Sequence, residues 1–285
     1  MKKLWDLSGK SFLVTGATSG IGEVTARELA RMGGKVILVS RNPEKCRRTT
    51  AHIKKETGNP QISYLTADLS SQEQIRDLVR TFQKEHDHLD VLINNAGGFF
   101  WERRESVDGI EMTLALNHLN YFLLTNLLLD SLRRSPEPRI INVSSDAHRG
   151  RKLNFENLEM ESGYSASKAY GRSKLANLYF TYELDRRLSE DKITVNALHP
   201  GFVATGFARE GKSLLRFLMP IVQLFARSPE QGAETSIYLA GSPDATGISG
   251  KYFVDQEPVR SSPASYDREA AQRLWKISEE LTGMA

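Results

Sequence analysis

A glycine-rich turn, Gly16-Ala17-Thr18-Ser19-Gly20-Ile21-Gly22, separates a short apolar run from an amphipathic stretch. The run from Ser11 to Thr15 predicts a buried β-strand, and residues 23–32 predict an α-helix. A strand, a glycine-rich turn and a helix in this order form the context that a dinucleotide-binding loop requires. Glycines let the backbone approach a pyrophosphate, and the helix N-terminus faces its negative charge. The residues predicted to bind the dinucleotide here are Gly16, Thr18, Ser19, Gly20, Ile21 and Gly22.

The end of the second predicted strand indicates which dinucleotide binds. A strand from Lys35 to Ser40 is followed directly by Arg41, with further basic residues in the next turn. An acidic residue near this position suits the ribose 2′-hydroxyl of NAD, whereas an arginine suits the 2′-phosphate of NADP. We therefore predict NADP(H), preferred over NAD(H), with Arg41 on the 2′-phosphate. A solvated basic helix start is the alternative interpretation of the same residues.

The remaining chain continues to alternate strands with helical patterns. Such alternation predicts one doubly wound parallel sheet, here a single-domain α/β Rossmann fold of seven strands with helices on both faces. The predicted domain covers residues 1–285, with an apolar insertion at about 202–227 and a C-terminal helix at about 266–282. The later strands are predicted at 61–66, 90–94, 139–145, 193–198 and 251–255.

Further cofactor contacts are predicted where the third and fourth strands end, because ligands bind at the carboxyl edge of open α/β sheets. Asp68 and Leu69 follow the third strand. The Asp68 carboxylate is suited either to an adenine amino group or to capping the next helix. Small residues follow the fourth strand and leave room for a base or ribose. They are Asn95, Ala96 and Gly97.

Composition limits the classes of partner. Lys and Arg number 38 against 35 Asp and Glu, and no long basic run stands out, so we predict no nucleic-acid partner. A single cysteine, Cys46, rules out an internal disulfide and fits a reducing compartment. His148 and His199 lack metal-ligand spacing, and we predict no metal. No secretory or membrane-spanning pattern is visible, which predicts a cytoplasmic protein, or one peripheral on an intracellular membrane, that is not secreted.

Catalytic chemistry is indicated by Tyr170-Gly171-Arg172-Ser173-Lys174, at the head of a helical run. A Tyr and a Lys four apart lie on one face of a helix, and an ammonium beside a phenol favours the phenolate and lowers its pKa. Such a tyrosine exchanges protons with an alcohol or carbonyl oxygen. Tyr164 and Lys168 form an overlapping second copy of the pattern.

Other polar residues fall near the same predicted edge. Asn117 lies inside an apolar helix, where it either locks the helix to a backbone or organises a water chain. Ser144 and Ser145 end the fifth strand. Since alternate side chains of a strand face opposite ways, one of the two serines faces the site.

Together these motifs resemble the short-chain dehydrogenase/reductase family, from about Leu7 to the C-terminus. The resemblance rests on Thr15-Gly16-x-x-x-Gly20-x-Gly22, Asn95-Ala96-Gly97, Ser145, Tyr170-x-x-x-Lys174 and Pro200-Gly201, in this order. Details such as Ser144-Ser145-x-Ala147-His148 and His199-Pro200-Gly201 further resemble the retinol dehydrogenase-like branch. In the family the lysine lies about 26 residues before the proline, and Lys174 lies 26 before Pro200. This spacing selects Tyr170 over Tyr164.

The resemblance also implies roles. Tyr170 is expected to be the general acid, Ser145 to bind the substrate oxygen, and Lys174 to hold the nicotinamide ribose while lowering the tyrosine pKa. Asn117 is expected to support the proton relay. The residues expected at the nicotinamide end of the cofactor are Tyr170, Lys174, Pro200, Gly201, Val203 and Thr205.

The expected function is an NADP(H)-dependent oxidoreductase that interconverts an apolar aldehyde or ketone with its alcohol. The expected substrate is a lipophilic small molecule that resembles retinal, a lipid aldehyde or a steroid. A homodimer is one expected form of the protein. Residues 214–225 form an apolar stretch, interpreted as a substrate lid, a peripheral membrane contact or a buried helix. The alternative function is a non-catalytic NADP(H)-binding sensor or scaffold.

Overall fold

The computed structural model describes residues 5–201 and 227–285. The strands are β1 Ser11–Thr15, β2 Lys35–Ser40, β3 Ile62–Thr66, β4 Val91–Asn94, β5 Arg139–Val143, β6 Thr194–His199, β7 Tyr252–Val254 and β8 Glu257–Val259. The helices are α1 Gly20–Arg31, α2 Pro43–Thr57, α3 Gln72–Glu85, α4 Met112–Leu114, α5 Asn120–Arg133, α6 Ala166–Arg187, α7 Pro229–Gly241 and α8 Arg268–Thr282. One π-helical turn, Ala115–Leu119, joins α4 to α5.

All eight of these strands belong to one sheet, in the order β3-β2-β1-β4-β5-β6-β7-β8. The first seven are parallel, as predicted, and β8 pairs antiparallel with β7. Strand β8 was not predicted, because it is three residues long and contains Pro258, which argues against a strand. The turn into β8 places Asp255 and Gln256 at positive φ.

Side chains of the central strands alternate between two hydrophobic cores. From β1, Leu13 enters the core that α3, α5 and α6 cover, whereas Phe12 and Val14 enter the core that α1, α2 and α7 cover. These strands are buried on both faces, which explains their nearly continuous apolar sequences. The predicted doubly wound α/β fold is therefore confirmed, with eight strands instead of seven.

The C-terminal helix α8 packs along α6, the helix that carries Tyr170 and Lys174. The Trp275 ring stacks on Phe180 with centroids 5.9 Å apart and meets Phe122 edge-on at 4.9 Å. These contacts join α8 to both α5 and α6. Within the described ranges, every helix is too short or too polar to cross a membrane.

Candidate active site

The turn between β1 and α1 is built for close backbone approach. Gly16 and Gly20 have φ values of 68° and 56°, a region that favours glycine. A Cβ on Gly22 would lie 2.5 Å from both the Gly16 carbonyl oxygen and Asn95 Nδ2, so a side chain there is excluded. Ser19 is the N-cap of α1, yet its side chain makes no capping hydrogen bond and is exposed. The first-turn N–H groups of α1 are thus suited to an anion.

Thr15 connects this turn to the end of β4 and was not among the predicted site residues. Its hydroxyl accepts hydrogen bonds from the N–H groups of Asn95 at 2.8 Å and Ala96 at 2.9 Å. Asn95 Nδ2 returns a 2.8 Å bond to the Thr15 carbonyl. Thr15 begins the motif on which the family resemblance rests, and it ends a predicted strand. Its hydrogen-bond partners could not be predicted, because they lie about eighty residues away.

At the end of β2, Arg41 is exposed and has no hydrogen bond or ion pair within the part of the chain that the structure describes. Its neighbour Ser40 bonds the Thr18 hydroxyl across 2.9 Å, which joins this strand end to the glycine-rich turn. One turn further, Arg47 is engaged by Glu44 at 2.8 Å. The N–H donors of the Arg41 guanidinium, at the end of β2, are therefore available to a ligand.

Asp68 follows β3 but does not cap α3, so that interpretation of Asp68 is wrong. Its carboxylate accepts from the N–H and hydroxyl of Ser70, at 3.0 and 2.7 Å, while Ser71 is the N-cap. The sequence could not distinguish these adjacent candidates. Leu69 and Ala96 are buried in the core that contains Leu13, so only their backbones face the sheet edge.

Asn117 lies in the π-helical turn and is fully buried. Its Oδ1 accepts from Gly98 N–H at 2.7 Å, and its Nδ2 donates to Gly98 carbonyl at 2.9 Å and to Ser173 hydroxyl at 3.0 Å. Ser173 in turn donates to the Tyr170 carbonyl at 2.8 Å. Of the two roles predicted for Asn117, these contacts match the first: the side chain bonds the backbone of the loop after β4 and the Ser173 hydroxyl of α6.

The side chains of the two serines after β5 face opposite ways, as the alternation of side chains along a strand predicts. Ser144 is buried and donates to the Lys174 carbonyl at 2.8 Å. Ser145 faces the other way, where its side chain hydrogen-bonds the Tyr170 side chain. The Ser145 hydroxyl also accepts from Ala147 N–H at 3.2 Å.

A close contact with α6 keeps this serine turn near Tyr170. A Cβ on Gly171 would lie 2.6 Å from the Ala147 carbonyl oxygen, so only glycine permits the approach. The position directly after the tyrosine therefore requires a glycine for this contact.

Tyr170 and Lys174 lie one turn apart on α6, as expected, but their pKa shifts differ from expectation. Burial raises the pKa of Tyr170 to about 12, and the hydrogen bond with Ser145 opposes this rise. Burial lowers the pKa of Lys174 to about 7. Lys174 Nζ donates to the Val143 carbonyl at 3.0 Å and lies 5.6 Å from the centre of the Tyr170 ring. Burial therefore gives the Tyr170 pKa a shift in the direction opposite to the one expected from the lysine.

Tyr164 lies before the start of α6, and Lys168 is exposed. The Tyr164 hydroxyl donates to the Phe100 carbonyl at 2.8 Å. Burial raises its pKa. The second Tyr-x-x-x-Lys copy therefore does not place both residues on one helix, and its tyrosine anchors a loop.

Phe99 and Trp101, which we call the aromatic arc, extend from Tyr170 toward solvent. Neither residue was among the predicted site residues. The Phe99 ring lies 5.7 Å from the Tyr170 ring, and Trp101 meets Phe99 edge-on at 5.0 Å. Trp101 is 41% exposed. The run of consecutive aromatic residues after the predicted fourth strand is the sequence feature that could have indicated this apolar surface.

The nicotinamide end of the predicted site is described only in part. Pro200 and Gly201 follow β6, and Gly201 has a φ of 80°. Val203, Thr205 and the apolar stretch 214–225 lie outside the described residues, as does the insertion 202–227 except for Arg227. Among the described residues, no group of three His, Cys, Asp or Glu side chains is placed to hold a metal ion.

Comparison with known proteins identifies the family. The model of the short chain dehydrogenase family matches residues 10–213, so the chain belongs to this family. It is retinol dehydrogenase-like: it is 41% identical to mouse (Mus musculus) retinol dehydrogenase 14, over 98% of this chain and 87% of that protein.

Two solved structures share the fold. An uncharacterized protein from Mycobacterium paratuberculosis is 32% identical, with a TM-score of 0.81 over 99% of this chain and 96% of that chain. A short chain dehydrogenase from Escherichia coli CFT073, complexed with NADPH, is 26% identical, with a TM-score of 0.69 over 88% and 98%.

Proposed function

We propose that this oxidoreductase uses NADP(H) to interconvert an apolar aldehyde or ketone with its alcohol. The observation that carries the proposal is the convergence of Ser145, Tyr170 and Lys174 beside the loop that Asn117 fixes. Ser145 hydrogen-bonds Tyr170, and a Cβ on Gly97 would lie 3.2 Å from Asn117 Oδ1 and 3.6 Å from Lys174 Nζ. Ser145 and Tyr170 are partly exposed, whereas Asn117 and Lys174 are buried beside them. All four lie toward the carboxyl edge of the sheet, where open α/β sheets bind ligands.

The residues present fit a dinucleotide. The exposed N-terminus of α1 is suited to the pyrophosphate, and bare Gly97 is suited to close approach near Lys174. Arg41, whose donors are available, is suited to a 2′-phosphate and supports NADP(H) over NAD(H). Tyr170, Lys174, Pro200 and Gly201 would line the nicotinamide end. The Escherichia coli relative that was solved with NADPH is consistent with this assignment.

In the proposed reaction the cofactor, when bound, supplies the hydride. Tyr170 donates the proton to the substrate oxygen, because its phenol is protonated at neutral pH. The Ser145 hydroxyl donates a hydrogen bond to the same oxygen. Lys174 holds the ribose and provides a nearby cation when protonated. The same groups serve the reverse direction, in which Tyr170 accepts the proton.

The aromatic arc supports an apolar substrate. Phe99 contacts the Tyr170 ring, so a substrate whose oxygen reaches Tyr170 passes its carbon chain over Phe99. Trp101 extends this apolar surface outward. Mouse retinol dehydrogenase 14, by its name, acts on such a lipophilic alcohol. We propose lipophilic carbonyl compounds, including retinal-like and lipid-derived aldehydes, as the substrate class.

The test is NADPH consumption by purified protein with retinal, medium-chain aldehydes and steroid ketones, using Tyr170→Phe and Tyr164→Phe as a matched pair. We expect turnover that disappears in Tyr170→Phe and persists in Tyr164→Phe. A dead Tyr164→Phe beside a live Tyr170→Phe would overturn the assignment of the acid. Tight NADPH binding without turnover across the panel would instead favour the sensor function.

A further inference from the structure

Two histidines hold the single peptide group that follows Ser145. The carbonyl oxygen of Ser145 lies 2.6 Å from His148 Nδ1, and the N–H of Asp146 lies 3.3 Å from His199 Nδ1. Both atoms belong to the peptide bond between Ser145 and Asp146. His148 comes from the turn itself, whereas His199 comes from the end of β6, so two separate elements grip one peptide plane.

The hydrogen bonds of His148 determine its tautomer. His148 is fully buried, and its Nε2 accepts a 3.0 Å bond from the backbone N–H of Ser262. A ring nitrogen that accepts from an N–H carries no proton in neutral imidazole, so the proton is on Nδ1. His148 Nδ1–H therefore donates to the Ser145 carbonyl, and the Tyr252 ring meets the imidazole edge-on at 5.3 Å.

His199 has the opposite tautomer. Its Nδ1 accepts from the Asp146 N–H, so the ring proton is on Nε2, which lies 3.8 Å from Asp146 Oδ2. The Asp146 carboxylate is held in turn by the Tyr252 hydroxyl at 3.0 Å and by Arg149 at 3.1 Å. One imidazole thus donates and the other accepts, which is the only neutral combination that satisfies both atoms of the peptide.

From this arrangement we propose that His148 and His199 form a peptide clamp that positions the Ser145 hydroxyl for the reaction. The last sheet hydrogen bond before the turn is from Ser144 N–H to the Leu198 carbonyl, at 2.8 Å. Beyond it, the clamp fixes the direction of the Ser145 carbonyl and hence the rotation of the Ser145 backbone. The hydroxyl that meets Tyr170 is therefore positioned by two imidazoles, together with the His148 N–H that lies 3.1 Å from the same carbonyl oxygen. The proposal rests on the proposed function of Ser145 and assigns both histidines as positioning residues.

The clamp requires both rings to be neutral. Protonated His148 would direct an N–H at the Ser262 N–H, and protonated His199 would direct one at the Asp146 N–H. Burial lowers the pKa of both histidines, which keeps them neutral at physiological pH. The charged or titratable groups that face them are Asp146, Arg149, Arg227, Tyr252 and Asp255.

Substitutions at His148 separate its two bonds. Asparagine places an amide N–H close to the Nδ1 position, and glutamine places an amide oxygen close to the Nε2 position. We expect His148→Asn to retain the bond to Ser145 and most of kcat, and His148→Gln to retain the bond to Ser262 but to lose about tenfold or more in kcat, because misplaced groups are costly in catalysis. NADPH affinity, followed by fluorescence, should stay within about twofold in both variants.

His199 offers the matched pair His199→Asn, which retains an acceptor at the Nδ1 position, and His199→Leu, which removes it. We expect His199→Leu to lower kcat with little change in KM, and His199→Asn to recover most of the loss. Equal kcat in the asparagine variant and its partner, at either position, would overturn the clamp. So would a loss of kcat that follows only the fall in thermal stability.

A measurement independent of activity separates the clamp from the proposed function. In protein labelled with ¹⁵N-histidine, NMR near neutral pH should show His148 protonated at Nδ1 and His199 protonated at Nε2, with assignments from the asparagine variants. The reverse tautomers would overturn the clamp even in an active enzyme. The expected tautomers, together with full activity in Ser145→Ala, would instead overturn the role proposed for Ser145.

Discussion

The side-chain amide of Asn117 forms two hydrogen bonds with the backbone of Gly98, accepting from its N–H at 2.7 Å and donating to its carbonyl at 2.9 Å. The second amide hydrogen goes to Ser173 on α6. One buried side chain therefore joins the loop after β4 to the helix that carries Tyr170. A π-helical turn supplies the geometry, and such turns often occur at functional sites.

We predict that Asn117→Asp lowers both stability and turnover. The carboxylate retains the bond from Gly98 N–H but brings an acceptor against the Gly98 carbonyl and the Ser173 hydroxyl, deep in the protein. The expected cost is about 3 kcal/mol in the free energy of unfolding, measured by urea denaturation. Asn126→Asp is the control, because Asn126 is half-buried on α5 and, among the residues that the structure describes, its side chain bonds only the Phe122 carbonyl. Equal effects at both positions would contradict the special role of Asn117.

Lys174→Met should stabilise the protein near neutral pH while removing activity. The folded pKa of Lys174 is about 7, below its ordinary value of 10.5, so the unfolded state binds more protons between these values and stability rises with pH across that window. Below about pH 7 the buried charge costs a few kcal/mol. Methionine removes that cost. The Val143 carbonyl, which loses its bond from lysine, still has the Tyr121 and Asn177 donors at 3.4 and 3.5 Å.

We expect the stability gained in Lys174→Met to shrink as the pH rises from about 7 toward 10. Urea denaturation at several pH values measures this, and turnover should fall about a hundredfold or more. Lys168→Met, exposed on the same helix, should change neither quantity. A Met variant less stable than the wild type near pH 7 would show that Lys174 is not destabilising.

Arg41→Ala should weaken NADPH binding about tenfold to a hundredfold and leave NADH binding nearly unchanged, since a charge-assisted bond is worth roughly 1.5–3 kcal/mol. Fluorescence titration with both cofactors measures the ratio. Arg47→Ala is the matched control, because Glu44 already occupies its guanidinium. An unaltered preference in Arg41→Ala would show that Arg41 does not bind the 2′-phosphate.

Acid should destabilise the fold partly through His118. Burial lowers the pKa of His118 from 6.5 to about 4, and its Nε2 lies 3.0 Å from the Ser278 hydroxyl of α8. The unfolded state therefore binds an extra proton between these pH values, and stability, complete above about pH 6.5, falls as the pH drops toward 4. Comparison of urea denaturation near pH 7 and near pH 5 should show a smaller loss in His118→Gln. The exposed His52→Gln should retain the full loss.

The sequence predicted those features that depend on neighbouring residues. The apolar runs, the glycine spacing and the Tyr170–Lys174 pair are local patterns, and they predicted the sheet and the composition of the candidate site. The choice of Tyr170 over Tyr164 required the spacing to Pro200, which the family resemblance provided. Strand β8 was missed because three residues with a proline carry no periodic signal.

Features that depend on burial or on distant partners were not predictable. The direction of the Tyr170 pKa shift was wrong because the cost of burying a phenolate is invisible in a linear sequence. Thr15 bonds residues about eighty positions away, and the two histidines of the peptide clamp lie about fifty positions apart. Only the folded chain brings these groups together.

Helix α8 is synthesised after the residues of α5 and α6 that it covers. Until residues 268–282 have left the ribosome, the Phe122 and Phe180 rings lack the Trp275 ring that covers them. The helix that holds Tyr170 and Lys174 then packs against the sheet, the α4 region and the 146–148 turn but lacks its contacts with α8. The face of α6 that α8 covers is thus completed only after translation of the last helix.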